Sequence, residues 1–402
     1  MATGTEANIV PDRELENRTK RVQKAVREMD IDALFLVQRV DFYYLTGIMQ
    51  RGIFYLPGEG VPLLFLDGSP AFGGGRLGNC ETFHIASLKE IPKVIRDYYG
   101  AMPRTVGFEN DVLPVADFNF YRELFPGAEC VDGSSCILDA RKIKSEWELA
   151  RMEESAGLTA QTFEYGKSVI TPGMEEMAFA ALLEGFARVR GRERENVRVR
   201  DYHTEGYEWH VLSGKSGGMV GLLDSPASGE GTSVAFPCGA GHKPIERNEP
   251  VMVDFSFLLN NYHMDETRMF SIGPMDDRTM KACEAAIAIH DAVLSRVKPG
   301  VTVDELYQYS LVKADDLGYG DQYLGPPGNK VNFVGHGIGL ELVEGPVIAK
   351  GKGDVLDVGM TFALEPKIVF LHEFIAGVES VFVVTEDGYR FISKVPVEIF
   401  EC

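Results

Sequence analysis

The sequence predicts a chain of two domains, the first of the α/β class, and three observations carry that prediction. Its 402 residues exceed what a single core ordinarily gathers. Over the first 140 residues, short apolar runs alternate with amphipathic helical segments, which is the α/β pattern. Near residue 145 the pattern changes to long charged helices followed by a hairpin-like stretch.

Taken in order, residues 13–29 read as an amphipathic helix with Val22, Ala25 and Val26 on one side. ALFLV (33–37), FYYL (42–45) and VPLLFL (61–66) read as strands, with a turn at Pro57-Gly58-Glu59-Gly60. The loop 71–79, AFGGGRLGN, lacks both GxGxxG and the Lys-Ser/Thr of a P-loop, so it reads as a flexible loop. A helix over 91–99 and a strand over 105–109 continue the alternation, and Cys136-Ile137-Leu138 reads as the end of a further strand. The domain boundary is expected there, giving domains at 1–140 and 141–402.

Ser145 with Glu148 forms a capping-box pattern that opens the second domain. Helices are expected over 145–169 and, after Thr171-Pro172-Gly173, over 174–189. The arginines at 188, 190, 192, 194, 198 and 200 are interleaved with Glu193 and Glu195, the mark of a solvated loop or rim, with recognition of a carboxylate as the alternative. Gly- and Ser-rich residues 213–241 suggest loops bordering a cleft. Further helices are expected over 279–297, with Ala285, Ala286, Ile289 and Val293 on one side, and over 303–317.

Composition narrows the function. A formal charge of −20 and a pI near 4.9 disfavour a phosphate-backbone binder, so no nucleic-acid partner is expected. Six cysteines occur without a CxxC pair or regular spacing, which suggests buried thiols in a reducing compartment. No stretch has the apolar length of a signal core or a membrane span. The expected setting is the cytoplasm, away from membranes.

Residues 250–273, PVMVDFSFLLNNYHMDETRMFSIG, read as a β-hairpin turning at Asn260-Asn261. An even-length loop puts Asp254 and Asp265 on one face as direct or diagonal neighbours, close enough to hold cations between them. Two solvated acids on an exposed sheet face would give the same pattern. His336 stands between glycines in VGHGIGLELVEGP, and Glu365 and Glu379 interrupt strongly apolar runs. A carboxylate in such a run is costly to bury unless it is paired or bound to a cation. Four such acids and one histidine point to one buried metal site.

Asp254, ten intervening residues, Asp265, GHGIG at His336, EP at Glu365 and GVES at Glu379 together resemble the pita-bread metallopeptidases, in the branch of aminopeptidase P and proline dipeptidase. Residues 141–148, RKIKSEWE, are similar to the helix that opens that branch's catalytic domain. The stretches DALFLV (32–37) and YLTG (44–47) are similar to its creatinase-like N-terminal domain. The resemblance implies an α/β N-terminal domain, an α+β pita-bread catalytic domain and two divalent metal ions. Asp254 would chelate one ion, His336 and Glu365 the other, and Asp265 and Glu379 both. The donor set suits Mn best, with Fe, Co or Zn as alternatives.

The implied activity is that of a Xaa-Pro aminopeptidase or dipeptidase cleaving small peptides through a metal-bridging hydroxide, with Glu365 handling its proton and a homodimer as the assembly. Two departures stand out. Val343 replaces the histidine expected seven positions after His336, and Cys238 follows Pro237 where a second substrate-contacting histidine is expected. His242 either replaces the missing catalytic group or sits on the cleft rim. A lyase or hydrolase of a small non-peptide substrate, similar to the dimethylsulfoniopropionate lyases, and a non-catalytic binding protein are the alternatives.

Overall fold

The structure is a computed structural model that describes residues 9–67, 79–193, 209–221, 223 and 225–402. It forms two compact units, Met1–Arg141 and Lys142–Cys402.

In the first unit, helix α1 (Asp12–Glu28) leads to strand β1 (Ala33–Leu36), helix α2 (Arg39–Thr46), β2 (Gly52–Pro57), β3 (Leu63–Asp67) and β4 (Glu81–Ile85). Then come α3 (Ile91–Tyr99), β5 (Thr105–Phe108), α4 (Val115–Arg122), β6 (Glu129–Asp132) and α5 (Ser134–Lys142). The sheet has the order β4-β3-β2-β1-β5-β6. Pairs β1–β2 and β2–β3 are antiparallel, whereas β1–β5, β3–β4 and β5–β6 are parallel. Phe35, Val106, Phe108 and Phe125 are buried at its centre.

Two expectations for this unit are corrected. FYYL lies in helix α2, where the Gln38 side chain accepts hydrogen bonds from the Val40 and Asp41 amides and Gly47 closes the helix in the left-handed conformation. Every residue from Val40 to Thr46 is buried, so the run carries no period that would separate helix from strand. Cys136-Ile137-Leu138 likewise belongs to α5, which starts where Asp132 Oδ1 accepts from the Ser134 amide at 3.0 Å. The loop expected over 71–79 lies outside the described residues apart from Asn79.

In the second unit, α6 (Glu146–Val169) and α7 (Glu176–Arg188) are followed by β7 (Trp209–Ser213), β8 (Val251–Leu259) and β9 (Tyr262–Ser271). Helices α8 (Asp277–Leu294) and α9 (Val303–Asp316) come next, then β10 (Phe333–Gly337), β11 (Glu344–Ala349), β12 (Thr361–Leu364), β13 (Lys367–Phe370) and β14 (Phe374–Gly377). The chain ends through β15 (Ser380–Val384), β16 (Tyr389–Phe391) and β17 (Phe400–Glu401). The strands make sheets of order β17-β9-β8-β7 and β11-β10-β12-β15-β16, with β13-β14 as a separate ribbon.

Helix α6 begins with the capping box that Ser145 and Glu148 specify. The same Glu148 accepts from the Tyr262 hydroxyl at 3.0 Å, which ties the helix start to the hairpin. Helix α8 buries Ala285, Ala286, Ile289 and Val293 in a core shared with Val334, Ile348, Leu364 and Phe382. Burial of that apolar stripe, at about 25 cal/mol per Å², is what holds the helix to the sheets. Arg192 departs from the solvated rim expected of it: it is buried, donating to the Ser256 carbonyl at 3.3 Å beside the Phe255 ring. Arg194, Arg198 and Arg200 lie outside the described residues. Among the described residues, no helix is long and apolar enough to cross a membrane.

Candidate metal centre

The hairpin β8–β9 turns at Asn260 and Asn261, both with positive φ (53° and 68°), the geometry of a two-residue turn whose twist matches paired strands. That turn fixes the register: Asp254 stands opposite Thr267, and Asp265 opposite Ser256. The two acids are therefore diagonal neighbours on one face. Thr267 also makes a bridge to Glu379 that joins this sheet to the next, the Glu379 amide donating to the Thr267 carbonyl at 3.1 Å and the Thr267 hydroxyl to Glu379 Oε2 at 2.9 Å.

His336 lies on β10 between β11 and β12. A Cβ at Gly335 would come within 2.4 Å of the Ala363 carbonyl, so glycine is what lets β10 approach β12 so closely. The His336 ring nitrogen Nδ1 is 3.0 Å from the Gly337 carbonyl. A carbonyl only accepts, so Nδ1 is the donor there and Nε2 is the nitrogen that faces the acids. Nε2 is 3.8 Å from Asp265 Oδ2 and 3.7 Å from Glu365 Oε1. Glu365 follows β12 directly, its amide held by the Val334 carbonyl at 2.9 Å.

Five residues singled out in the sequence thus converge in one place, and one does not join them. Donor atoms of Asp265, His336 and Glu379 all lie within 4.8 Å of one another. Asp254 and Glu365 are linked through Lys367, whose Nζ is 2.8 Å from Asp254 Oδ2 and 2.8 Å from Glu365 Oε2. His242 is exposed, 2.9 Å from Glu175 Oε2, and it lines an open cleft of about 550 Å³ with Lys215, Glu230 and Lys243.

Sequence reasoning missed Lys367 and His210. Lys367 stands two positions after Glu365 in EPKIVF, so the period of two was a signal that both face one way. His210 gave no such signal. It pairs with Asp254 across β7–β8, its Nδ1 3.8 Å from Asp254 Oδ2, and its Nε2 is buried with no hydrogen-bond partner among the described residues.

Electrostatics separate the acids. Burial, then the charges of Asp254 and Glu365, push Asp265 well above the usual carboxylate range. Burial, then Asp265 and Glu365, do the same to Glu379. Burial acts on Asp254 in that direction too, but the Lys367 ammonium and His210 overrule it and hold Asp254 well below the usual range. Burial works against the ammonium of Lys367, yet Asp254, Glu365 and Glu379 hold its proton well above the ordinary lysine value. Without a cation, then, Asp265 and Glu379 resist ionisation.

These residues fit a divalent ion on the side of His336. Glu379 Oε1 is buried and has no hydrogen-bond partner among the described residues, and His336 Nε2 faces two carboxylates. Donor separations of 3.7 and 3.8 Å are within a few tenths of an ångström of the edges of a tetrahedral shell with bonds of about 2.0–2.2 Å. On the side of Asp254 they do not fit a second ion, because the lysine ammonium already bonds that carboxylate.

The family model described as metallopeptidase family M24 matches residues 150–386. The chain belongs to metallopeptidase family M24. A model of the creatinase/prolidase N-terminal domain matches residues 18–143. A Xaa-Pro dipeptidase of Pyrococcus furiosus is 23% identical over 387 residues, 96% of this chain and 100% of the relative. An uncharacterized peptidase of Bacillus subtilis is 26% identical over 384 residues, 95% of this chain and 99% of the relative. The solved Xaa-Pro dipeptidase from Bacillus anthracis matches with a TM-score of 0.80 at 23% identity, over 96% of this chain and 100% of that one. This M24 chain is a hydrolase whose creatinase-type N-terminal domain precedes a pita-bread catalytic domain.

Proposed function

We propose that this M24 hydrolase is a divalent-metal-dependent peptidase of small peptides, acting on the bond before proline, with Asp265, His336, Glu365 and Glu379 as metal ligands. The observation that carries the proposal is His336 Nε2 facing Asp265 and Glu365 at 3.8 and 3.7 Å, beside a buried Glu379 oxygen with no hydrogen-bond partner among the described residues. The preference for proline comes from relatives such as the Xaa-Pro dipeptidase of Pyrococcus furiosus. Manganese is the ion we expect, since one imidazole among carboxylates suits it, with Fe, Co or Zn able to substitute. Cys80, Cys130, Cys136, Cys283 and Cys402 are free thiols, which suits the reducing cytoplasm as the setting.

A bound divalent ion would supply Lewis acidity at the scissile carbonyl and an acidified water. The chain's own groups do the rest. Glu365 takes the proton of the attacking water and returns it to the leaving amine. Lys367 fixes Glu365 through Oε2 and holds Asp254 ionised, so the local field stays constant while charge develops on the substrate. His210, its Nδ1 turned to Asp254 and its Nε2 without a partner among the described residues, takes the place of the polar contact that Val343 lacks. His242 acts on the rim and takes no part in the chemistry, its imidazole engaged with Glu175.

A second reading, a small non-peptide substrate, is favoured by Val343 and by Cys238, which is fully buried and out of reach of a substrate. Purified protein supplied with Mn, Co, Zn or Fe and a panel of Xaa-Pro dipeptides, tripeptides and dimethylsulfoniopropionate separates the two. Turnover of the Xaa-Pro peptides is expected. Cleavage of the sulfonium compound alone would establish the second reading, and no turnover with any metal would sink both.

A further inference from the structure

Lys367 is a buried lysine inside the acid cluster, and its place there is built. Its backbone is fixed by pairing with Gly377 across β13–β14 and by the Leu324 amide, which donates to the Lys367 carbonyl at 2.9 Å. Its stem lies over Gly377, where a Cβ would come within 2.9 Å of Lys367 Cγ. Its ammonium ends 2.8 Å from Asp254 Oδ2 and 2.8 Å from Glu365 Oε2. A lysine at 2% exposure in an apolar run persists only where its charge is met, and here two carboxylates meet it.

We propose that the Lys367 ammonium stands in for one of the two metal ions that the family's ligand set holds, so that this centre takes a single divalent ion. That ion lies among Asp265, His336, Glu365 and Glu379, and Asp254 is committed to the lysine. The inference rests on the metal-dependent reading above and concerns only how many ions that site holds. The donor geometry supports it. Donor atoms of Asp265, His336 and Glu379 lie within 4.8 Å of one another and Glu365 Oε1 is 3.7 Å from His336 Nε2, whereas Asp254 Oδ2 is 2.8 Å from the lysine.

Charge supports it as well. Four carboxylates meet one ammonium, and a single dication leaves one negative charge uncompensated, which a substrate's positive end or solvent can balance. Two dications would leave the cluster positive and set an ammonium beside a dication in a buried site, where like charges repel strongly. Lys367 is covalently part of the chain, so unlike an ion it does not leave the centre when free metal is scarce.

The test is a metal count on the whole chain. Protein saturated with Mn²⁺ and freed of loose ion by gel filtration is measured by mass spectrometry of the metal, and its Mn²⁺ resonance is recorded in parallel. We expect one ion per chain with the six-line signal of an isolated Mn²⁺. Lys367→Ala is expected to take up a second ion and to broaden the signal through coupling between neighbouring ions. Two coupled ions in the wild type overturn the inference, whether or not the variant folds, and leave the metal-dependent reading standing. A folded variant that stays at one ion overturns the claim that the lysine excludes the second. No ion in either protein overturns the metal-dependent reading itself, and the inference with it.

Discussion

Replacing Glu344 by alanine should destabilise the catalytic unit far more than a surface substitution would, through a buried charge left alone. Lys144 Nζ lies 3.0 Å from Glu344 Oε2, with side chains 2% and 5% exposed. Glu344 Oε1 also accepts from the Glu341 amide at 3.0 Å. The lysine fits there because residue 339 is glycine, whose Cβ would come within 2.8 Å of Lys144 Cε. Glu344→Ala strands the ammonium, at a cost of about 3–5 kcal/mol for an unpaired buried charge. Two lost charge-assisted hydrogen bonds, at about 1.5–3 kcal/mol each, give a similar total. For a unit of this size about 1 kcal/mol shifts the melting temperature by about 2–4 °C, so a fall of about 10 °C is expected. Urea unfolding measures the free energy, and Lys144→Met with Glu344→Leu is the control. The double variant should recover most of the loss, since an apolar pair of similar volume replaces a buried ion pair at little cost. A loss under about 1 kcal/mol in Glu344→Ala, or a double variant as unstable as the single, would refute the reasoning.

Two further outcomes follow from the electrostatics and from His210. Asp265 and Glu379 are raised in the metal-free protein, so the folded state binds more protons than the unfolded state above the ordinary carboxylate range of about 4. Their contribution to stability is fully present below that range and is lost as pH rises toward their raised values. The depressed Asp254 has the opposite sign but acts only below its ordinary value. The melting temperature of metal-free protein should therefore fall as pH rises from about 5 to 8, and loading Mn²⁺ should flatten that slope while releasing protons. Calorimetric metal titration in two buffers of different ionisation enthalpy checks the release, and identical heats in both would contradict it. His210→Ala should lower kcat/KM on a Xaa-Pro dipeptide by about 10² with metal content unchanged. A change of less than about twofold would remove His210 from the chemistry.

Much of the architecture was legible because local signals agreed with one another. The capping box at Ser145, the apolar stripe of α8 and the parity of the hairpin loop each specify a geometry by themselves, and each appears in the structure. FYYL was misread because burial on all sides erases the period that distinguishes helix from strand; the capping Gln38 and the closing Gly47 were the remaining signs. The convergence of Asp254, Asp265, His336, Glu365 and Glu379 was legible as an expense: charged groups set in apolar runs need partners. The same logic applies to Lys367, a lysine buried in the apolar run KIVF whose charge also needs partners. His210 could not be found from sequence, because only the β7–β8 register brings it beside Asp254. His242 is nearer to Asp254 in sequence, yet its imidazole faces Glu175.

The central claim is that Asp265, His336, Glu365 and Glu379 hold a catalytic divalent ion, and anomalous diffraction from crystals grown with Mn²⁺ tests it most directly. A peak is expected at about 2.0–2.3 Å from His336 Nε2 and from carboxylate oxygens of Asp265, Glu365 and Glu379. Crystals that show no peak there at saturating Mn²⁺, with His336 Nε2 hydrogen-bonded to water or to a protonated carboxyl, would contradict it.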